Sequence, residues 1–201
     1  SAPLPSEPLI LGFDTSAAHC AAALLQGDRI LVERLELMNR GQAERLMVLL
    51  EEVLAEGGVS WRDLSAIGVG VGPGNFTGIR IGVSAARGLA LGLEIPAVGV
   101  NGFEARDVDG ELAAIPAPRE QVYAALPDQA PRLMPASEAA EAARGAGLTF
   151  APEASPAGLS AAIAHLAALR YENVTEPPAP LYMRAADAAP SRDVPPALID
   201  G

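Results

Sequence analysis

Leu9-Ile10-Leu11-Gly12-Phe13, closed by Asp14-Thr15-Ser16, reads as a buried strand with polar residues at its C-terminal end. A short unbroken apolar run ending in turn-forming residues is the pattern of a strand covered on both faces. Cys20-Ala21-Ala22-Ala23-Leu24-Leu25 follows closely as a second strand, Gln26-Gly27-Asp28 supplies a turn, and Ile30 to Leu37 gives a third. Connections this short allow only hairpins, so the chain starts as an antiparallel meander.

Downstream the hydrophobic period changes. Ala43, Leu46, Met47, Leu50, Val53 and Leu54 recur at helical spacing, which predicts a helix over 42–56 closed by Gly57-Gly58. Ser60 and Asp63 form a capping-box pair opening a short helical turn. Ala66 to Val71 is an apolar strand, Gly72 to Gly78 a glycine-rich loop, 78–93 a second helix, and Ala97 to Val100 a last strand. The order β-β-β-α-β-α-β is that of the ribonuclease-H-like half found in actin-like ATPases (the ASKHA fold) and sugar kinases. After Asn101 the pattern loosens. Glu111–Ile115 and Gln121–Leu126 are strand candidates joined across Pro116-Ala117-Pro118-Arg119, and Ala136–Arg144 and Leu159–Arg170 are Ala-rich helices. The expected division is a disordered leader over 1–8, an N-terminal domain over 9–101, and a smaller, degraded C-terminal domain over 102–201 with a Pro/Ala-rich tail.

The net charge is −11, and all fourteen basic residues are arginine. An acidic chain without a basic run gains little from releasing counterions on RNA, so if RNA is a substrate another chain does most of the gripping. The absence of lysine removes the P-loop lysine, the Schiff-base lysine and the Ser–Lys dyad. Cys20 is the single cysteine, which excludes an internal disulfide and fits a cytoplasmic protein. No apolar stretch is long enough for a membrane span, and the Pro-rich first residues do not read as a signal peptide.

Three places could carry function. The loop with Gly72, Gly74 and Thr77 has the glycine content of a phosphate cradle but lacks the terminal lysine, and a tight strand-to-helix turn explains the same residues. Asp14 and Thr15 sit where actin-like ATPases hold a metal- and phosphate-facing aspartate, yet no second phosphate loop follows; capping of nearby N–H groups explains them equally. His19 and His165 have no partner at metal-binding spacing, and Gln42 and Leu46 are not zinc ligands. The third place is the second helix. Gly78, Gly82, Ala85, Ala86 and Leu89 form a smooth stripe on a helix apolar nearly all round. Either the sheet and the first helix cover it, or a second protein does, with Leu46, Met47 and Leu50 sharing the contact.

Residues 10–16, the run Gly68-Val69-Gly70-Val71-Gly72-Pro73-Gly74-Asn75-Phe76-Thr77-Gly78-Ile79-Arg80-Ile81-Gly82-Val83, Ala86–Ala90, Ile95–Val100 and Leu181-Tyr182-Met183-Arg184 resemble the signature segments of the TsaB (YeaZ-like) family. The likeness is dense over about the first hundred residues and thin beyond. Asn75 stands where the family usually has Ser, and Gln42 where many members have His, so no role for that His transfers. The resemblance implies an ASKHA fold without catalytic residues of its own, needing no cofactor. It implies a scaffold that pairs with the catalytic paralogue TsaD through the first two helices, with the ATPase TsaE completing the assembly. TsaD transfers threonylcarbamoyl to the adenosine beside the anticodon of ANN-decoding tRNAs. A homodimer through the same helical face is a further expectation. The rival reading is an enzyme of the same fold, a degenerate ATPase or a metallopeptidase.

Overall fold

The computed structural model describes residues 6–183; the leader before Ser6, and Arg184 with the tail beyond it, lie outside the described residues. Its centre is a five-stranded mixed sheet of β1 (Leu9–Asp14), β2 (His19–Gln26), β3 (Arg29–Leu37), β4 (Ala66–Gly70) and β5 (Ala97–Val100), in the order β3-β2-β1-β4-β5. The first three strands run antiparallel as the meander requires, and β4 and β5 lie parallel to β1. This is the ribonuclease-H-like, actin-like ATPase type of α/β fold. The strand, turn and helix signals of residues 9–100 hold to within a few residues, and the Ser60–Asp63 capping box forms both of its bonds.

Helices cover both faces of the sheet. On one side lie α1 (Gln42–Glu56) and α2 (Phe76–Leu93), whose Leu46, Leu50, Val53, Ile79 and Val83 close over Leu11, Phe13, Leu24 and Val69. On the other lies α5 (Leu159–Arg170), whose Ile163, Ala164 and Ala167 pack on Ile10, Leu25 and Val98. This approach is close. A Cβ at Gly12 would lie 2.8 Å from the Ala164 nitrogen, and one at Gly68 would lie 2.8 Å from the Ala167 methyl. Each such burial of an aliphatic side chain contributes about 1.5–3 kcal/mol.

Beyond β5 the chain forms a single-turn helix α3 (Gly102–Ala105) and an antiparallel sheet of β6 (Ala114–Ala117), β7 (Gln121–Ala124) and β8 (Arg132–Pro135). Helix α4 (Ala136–Gly145) packs on this sheet around Met134, Val122 and Ala139. Two expectations change. Pro116-Ala117 belongs to β6 and the turn starts at Pro118, because Pro116 pairs with Val122 at the edge of the sheet, where a missing N–H costs least. The expected boundary near residue 102 falls where the first sheet ends, but α5 returns from beyond it to cover that sheet. Residues 9–101 alone would leave the face bearing Ile10, Leu25 and Val98 bare. No described helix is long and apolar enough to cross a membrane.

Candidate functional site

The C-terminal end of β1 meets the glycine-rich loop, and there the chain packs against itself. The Thr15 hydroxyl donates to the Gly78 carbonyl at 2.6 Å, and the Asn75 N–H donates to the Ser16 carbonyl at 2.8 Å. Asn75 caps α2 by accepting from the Gly78 N–H at 2.8 Å, which also explains why the helix begins at Phe76 and not at Gly78. A Cβ at Gly74 would run into the Ser16 carbonyl oxygen, and one at Gly78 into that of Thr15. The glycines let two stretches of backbone touch. The Asn75 and Gly78 N–H groups are spent on the chain's own Ser16 carbonyl and Asn75 side chain.

Asp14 is equally committed. One carboxylate oxygen, Oδ2, accepts from the Ser16 N–H (3.0 Å) and the Ser16 hydroxyl (2.8 Å), and lies 2.6 Å from His19 Nε2. The other, Oδ1, abuts Gly70, where a Cβ would collide with it. Burial pushes the Asp14 carboxyl up, but the hydrogen bond and charge of His19, with the bonds from Ser16, outweigh it and hold the group below the usual carboxylate value. The residues present therefore do not fit a metal–phosphate site at this strand end. Among the described residues no cluster of His, Cys, Asp and Glu could hold a metal ion.

The network extends to a residue that the sequence did not single out. His19 Nδ1 lies 2.6 Å from Ser155 Oγ, in the loop before α5. Ser155, His19 and Asp14 have the composition of a nucleophile–base–orienter series. His19, however, is fully buried, so the imidazole has no route to a leaving group. The series is a tether joining the loop that leads into α5 to the start of the meander. No sequence signal marks Ser155, which is 136 residues from His19.

The face formed by α1 and α2 is different. Leu46, Leu50, Gly78, Gly82 and Ala86, expected to meet a partner, are buried in the chain's own interior. The glycine stripe faces inward: a Cβ at Gly82 would lie 2.8 Å from Thr15 Oγ1 and 3.5 Å from a Val69 methyl. Met47, Ala85 and Leu89 do keep surface. The outward ridge of α2 is Arg80, Ser84, Arg87, Gly88 and Leu91, with Leu91 83 % exposed, and nothing approaches within 4 Å of a Cβ at Gly88 or Gly92. Between the helices runs a groove of about 460 Å³, lined by Ala43, Met47, Phe76, Arg80, Ile81 and Ala85. At its end Phe76 stacks on Tyr182, ring centroids 5.1 Å apart, with the Arg80 guanidinium 5.2 Å from the centre of the Phe76 ring. This groove is an open, largely apolar stretch of the α1–α2 surface.

The chain resembles known proteins in two ways. Residues 36–127 match the family described as TsaD, tRNA N6-adenosine threonylcarbamoyltransferase. The tRNA threonylcarbamoyladenosine biosynthesis protein TsaB of Haemophilus influenzae is 33 % identical over 123 residues, covering 57 % of this chain and 51 % of that one. The chain thus spans about half the length of that curated relative. A Mycobacterium bovis protein of uncharacterized function is 31 % identical over 204 residues, covering 90 % of this chain and 94 % of its own. Among solved structures, YeaZ from Pseudomonas aeruginosa superposes with a TM-score of 0.69 at 25 % identity, over 88 % of this chain and all of that one.

Proposed function

Because this chain belongs to the TsaB (YeaZ-like) family, we propose that it serves the biosynthesis of threonylcarbamoyladenosine in tRNA as a non-catalytic subunit that docks TsaD. The observation that carries this reading is the contrast between the two candidate places. The strand end that holds nucleotide in catalytic members of the fold is filled by the chain's own Thr15, Ser16 and His19. The α1–α2 face is open.

The docking surface runs along Met47, Phe76, Ser84, Ala85, Gly88 and Leu91. Residues with little or no side chain at Ser84, Gly88 and Gly92 repeat every fourth position on the outer ridge, which lets a second helix come close to the α2 backbone. Contact with TsaE is indirect, through the assembly. The acidity of the chain leaves tRNA binding to the partner.

Reconstitution with TsaD, TsaE and the enzyme that supplies the threonylcarbamoyl donor tests the proposal. Modified adenosine in an ANN-decoding tRNA, measured by mass spectrometry after nuclease digestion, should form only when this chain is present. Undiminished modification without it would overturn the reading.

A further inference from the structure

The last described residues cross one end of the α1–α2 groove. The Leu181 N–H donates to the Val71 carbonyl at 2.8 Å, and the Tyr182 ring stacks on Phe76, which lines the groove. The chain therefore reaches the groove mouth at Met183, with residues 184–201 still to follow. The groove makes three demands on an occupant. Met47, Ile81 and Ala85 give it apolar walls, with Met47 39 % exposed. Phe76 and Tyr182 set aromatic rings at one end. Arg80 stands on the groove, over the Phe76 ring, and forms no ion pair among the described residues.

The sequence beyond Met183 answers each demand. Residues 184–193 carry no aliphatic side chain larger than proline and no aromatic ring. Val194-Pro195-Pro196-Ala197-Leu198-Ile199 is then an unbroken apolar run, closed by Asp200. We infer that this run occupies the groove of its own chain until TsaD displaces it. Leu198 and Ile199 fill the space between Met47, Ile81 and Ala85, and Asp200 pairs with Arg80. The reach is sufficient. Ten residues separate Met183 from Val194 and span up to about 35 Å, whereas the helix from Phe76 to Ala85 is only about 14 Å long. Pro195 and Pro196 reduce the backbone entropy lost on docking, which is why Pro-rich segments bind grooves lined with aromatic rings. The tether also sets a local concentration of roughly millimolar, so a contact too weak to hold a free peptide is filled in cis. Met47, Phe76, Ser84 and Ala85 serve both occupants. The tail thereby regulates the docking surface proposed above, and this competition rests on that reading.

Methionine methyl NMR of the full chain tests the inference without TsaD. Met47 lies in the groove, and Met134 lies in the core of the small sheet. In Leu198→Asp/Ile199→Asp the Met47 signal should move and the Met134 signal should stay. An unmoved Met47 signal would overturn the inference. So would a difference that grows with protein concentration, since the tail of a second copy would then be the occupant. The same double variant should bind TsaD about three- to tenfold more tightly than the parent chain, because no tail has to be displaced. Equal affinities would overturn the competition. Failure of both forms to bind TsaD would overturn the docking reading instead, while the Met47 signal still decides where the tail lies.

Discussion

The Thr15 hydroxyl holds the Gly78 carbonyl at 2.6 Å, and the Thr15 carbonyl in turn occupies the space where a side chain at residue 78 would stand. The end of β1 and the first turn of α2 are thereby in backbone contact. Neither can move without the other.

Gly78→Ala should therefore be costly. The obstructing atom is main chain and cannot rotate away, so overpacking of about 3 kcal/mol is expected, read as a lower urea midpoint with an unchanged slope. Gly88→Ala, on the same helix but open to solvent, should stabilise by up to about 1 kcal/mol from helix propensity alone. Equal effects at the two positions would show that the inward and outward faces of α2 are misassigned.

Gly88→Arg should leave circular dichroism and thermal melting near those of the parent chain, yet abolish co-elution with TsaD. Gly82→Leu should fail earlier. Its added volume meets Thr15 and Val69, so loss of folded protein is expected in place of selective loss of the complex. A folded Gly82→Leu protein that merely loses TsaD would return the glycine stripe to the partner surface.

Acid should act through Asp14. Its folded-state pKa lies below the ordinary 3.8, so its contribution to stability is fully present above the unfolded value and is lost as pH falls through the folded one. Urea midpoints should hold steady above about pH 5 and decline below about pH 4. Asp14→Asn should cost about 1.5–3 kcal/mol at neutral pH, the worth of hydrogen bonds to a charged group, and should flatten the acid decline. A decline identical to that of the parent would remove Asp14 as its cause.

Cys20 should be silent towards thiol reagents. Burial first, then the nearby Glu36, push its thiol up to about 11, so thiolate is scarce at pH 8 and the sulfur is also covered. Labelling should proceed only at the rate of unfolding and accelerate in Gly78→Ala. Rapid labelling of the native chain would show that the β2 end opens.

Phe76→Ala should loosen the segment Leu181–Met183. Tyr182 would lose its stacking partner, leaving the Leu181 N–H bond to the Val71 carbonyl as the main anchor. Faster hydrogen exchange at Leu181, with the sheet amides unchanged, is the expected signature. Unaltered protection there would show that stacking does not hold the segment.

What could be read in advance depended on the range of the interactions. Helix α1 was legible because its apolar period ends at Gly57-Gly58, and α5 because its run is bounded by Gly158 and Arg170. Strand β8 escaped notice because Arg132–Pro135 is four residues long and set between prolines. The direction of the α2 stripe was not legible at all. A helix apolar nearly all round gives no phase, and only contact with Thr15, 67 residues away from Gly82 in sequence, shows which side is inward. The reactive-looking pieces misled for the same reason. Asp14 with a glycine-rich loop suggests a phosphate site, but the atoms packed against them come from Thr15, Ser16 and His19, whose residue types promise nothing by themselves.

The late return of α5 has a consequence during synthesis. The strand made first acquires its covering helix only once residue 170 has left the ribosome. At about 5–20 residues per second, the interval is roughly 10 to 30 s. Through that time Ile10 and Leu25 face water, joined by Val98 once β5 is made, so the nascent chain offers its oily flank to whatever chaperone waits at the tunnel exit.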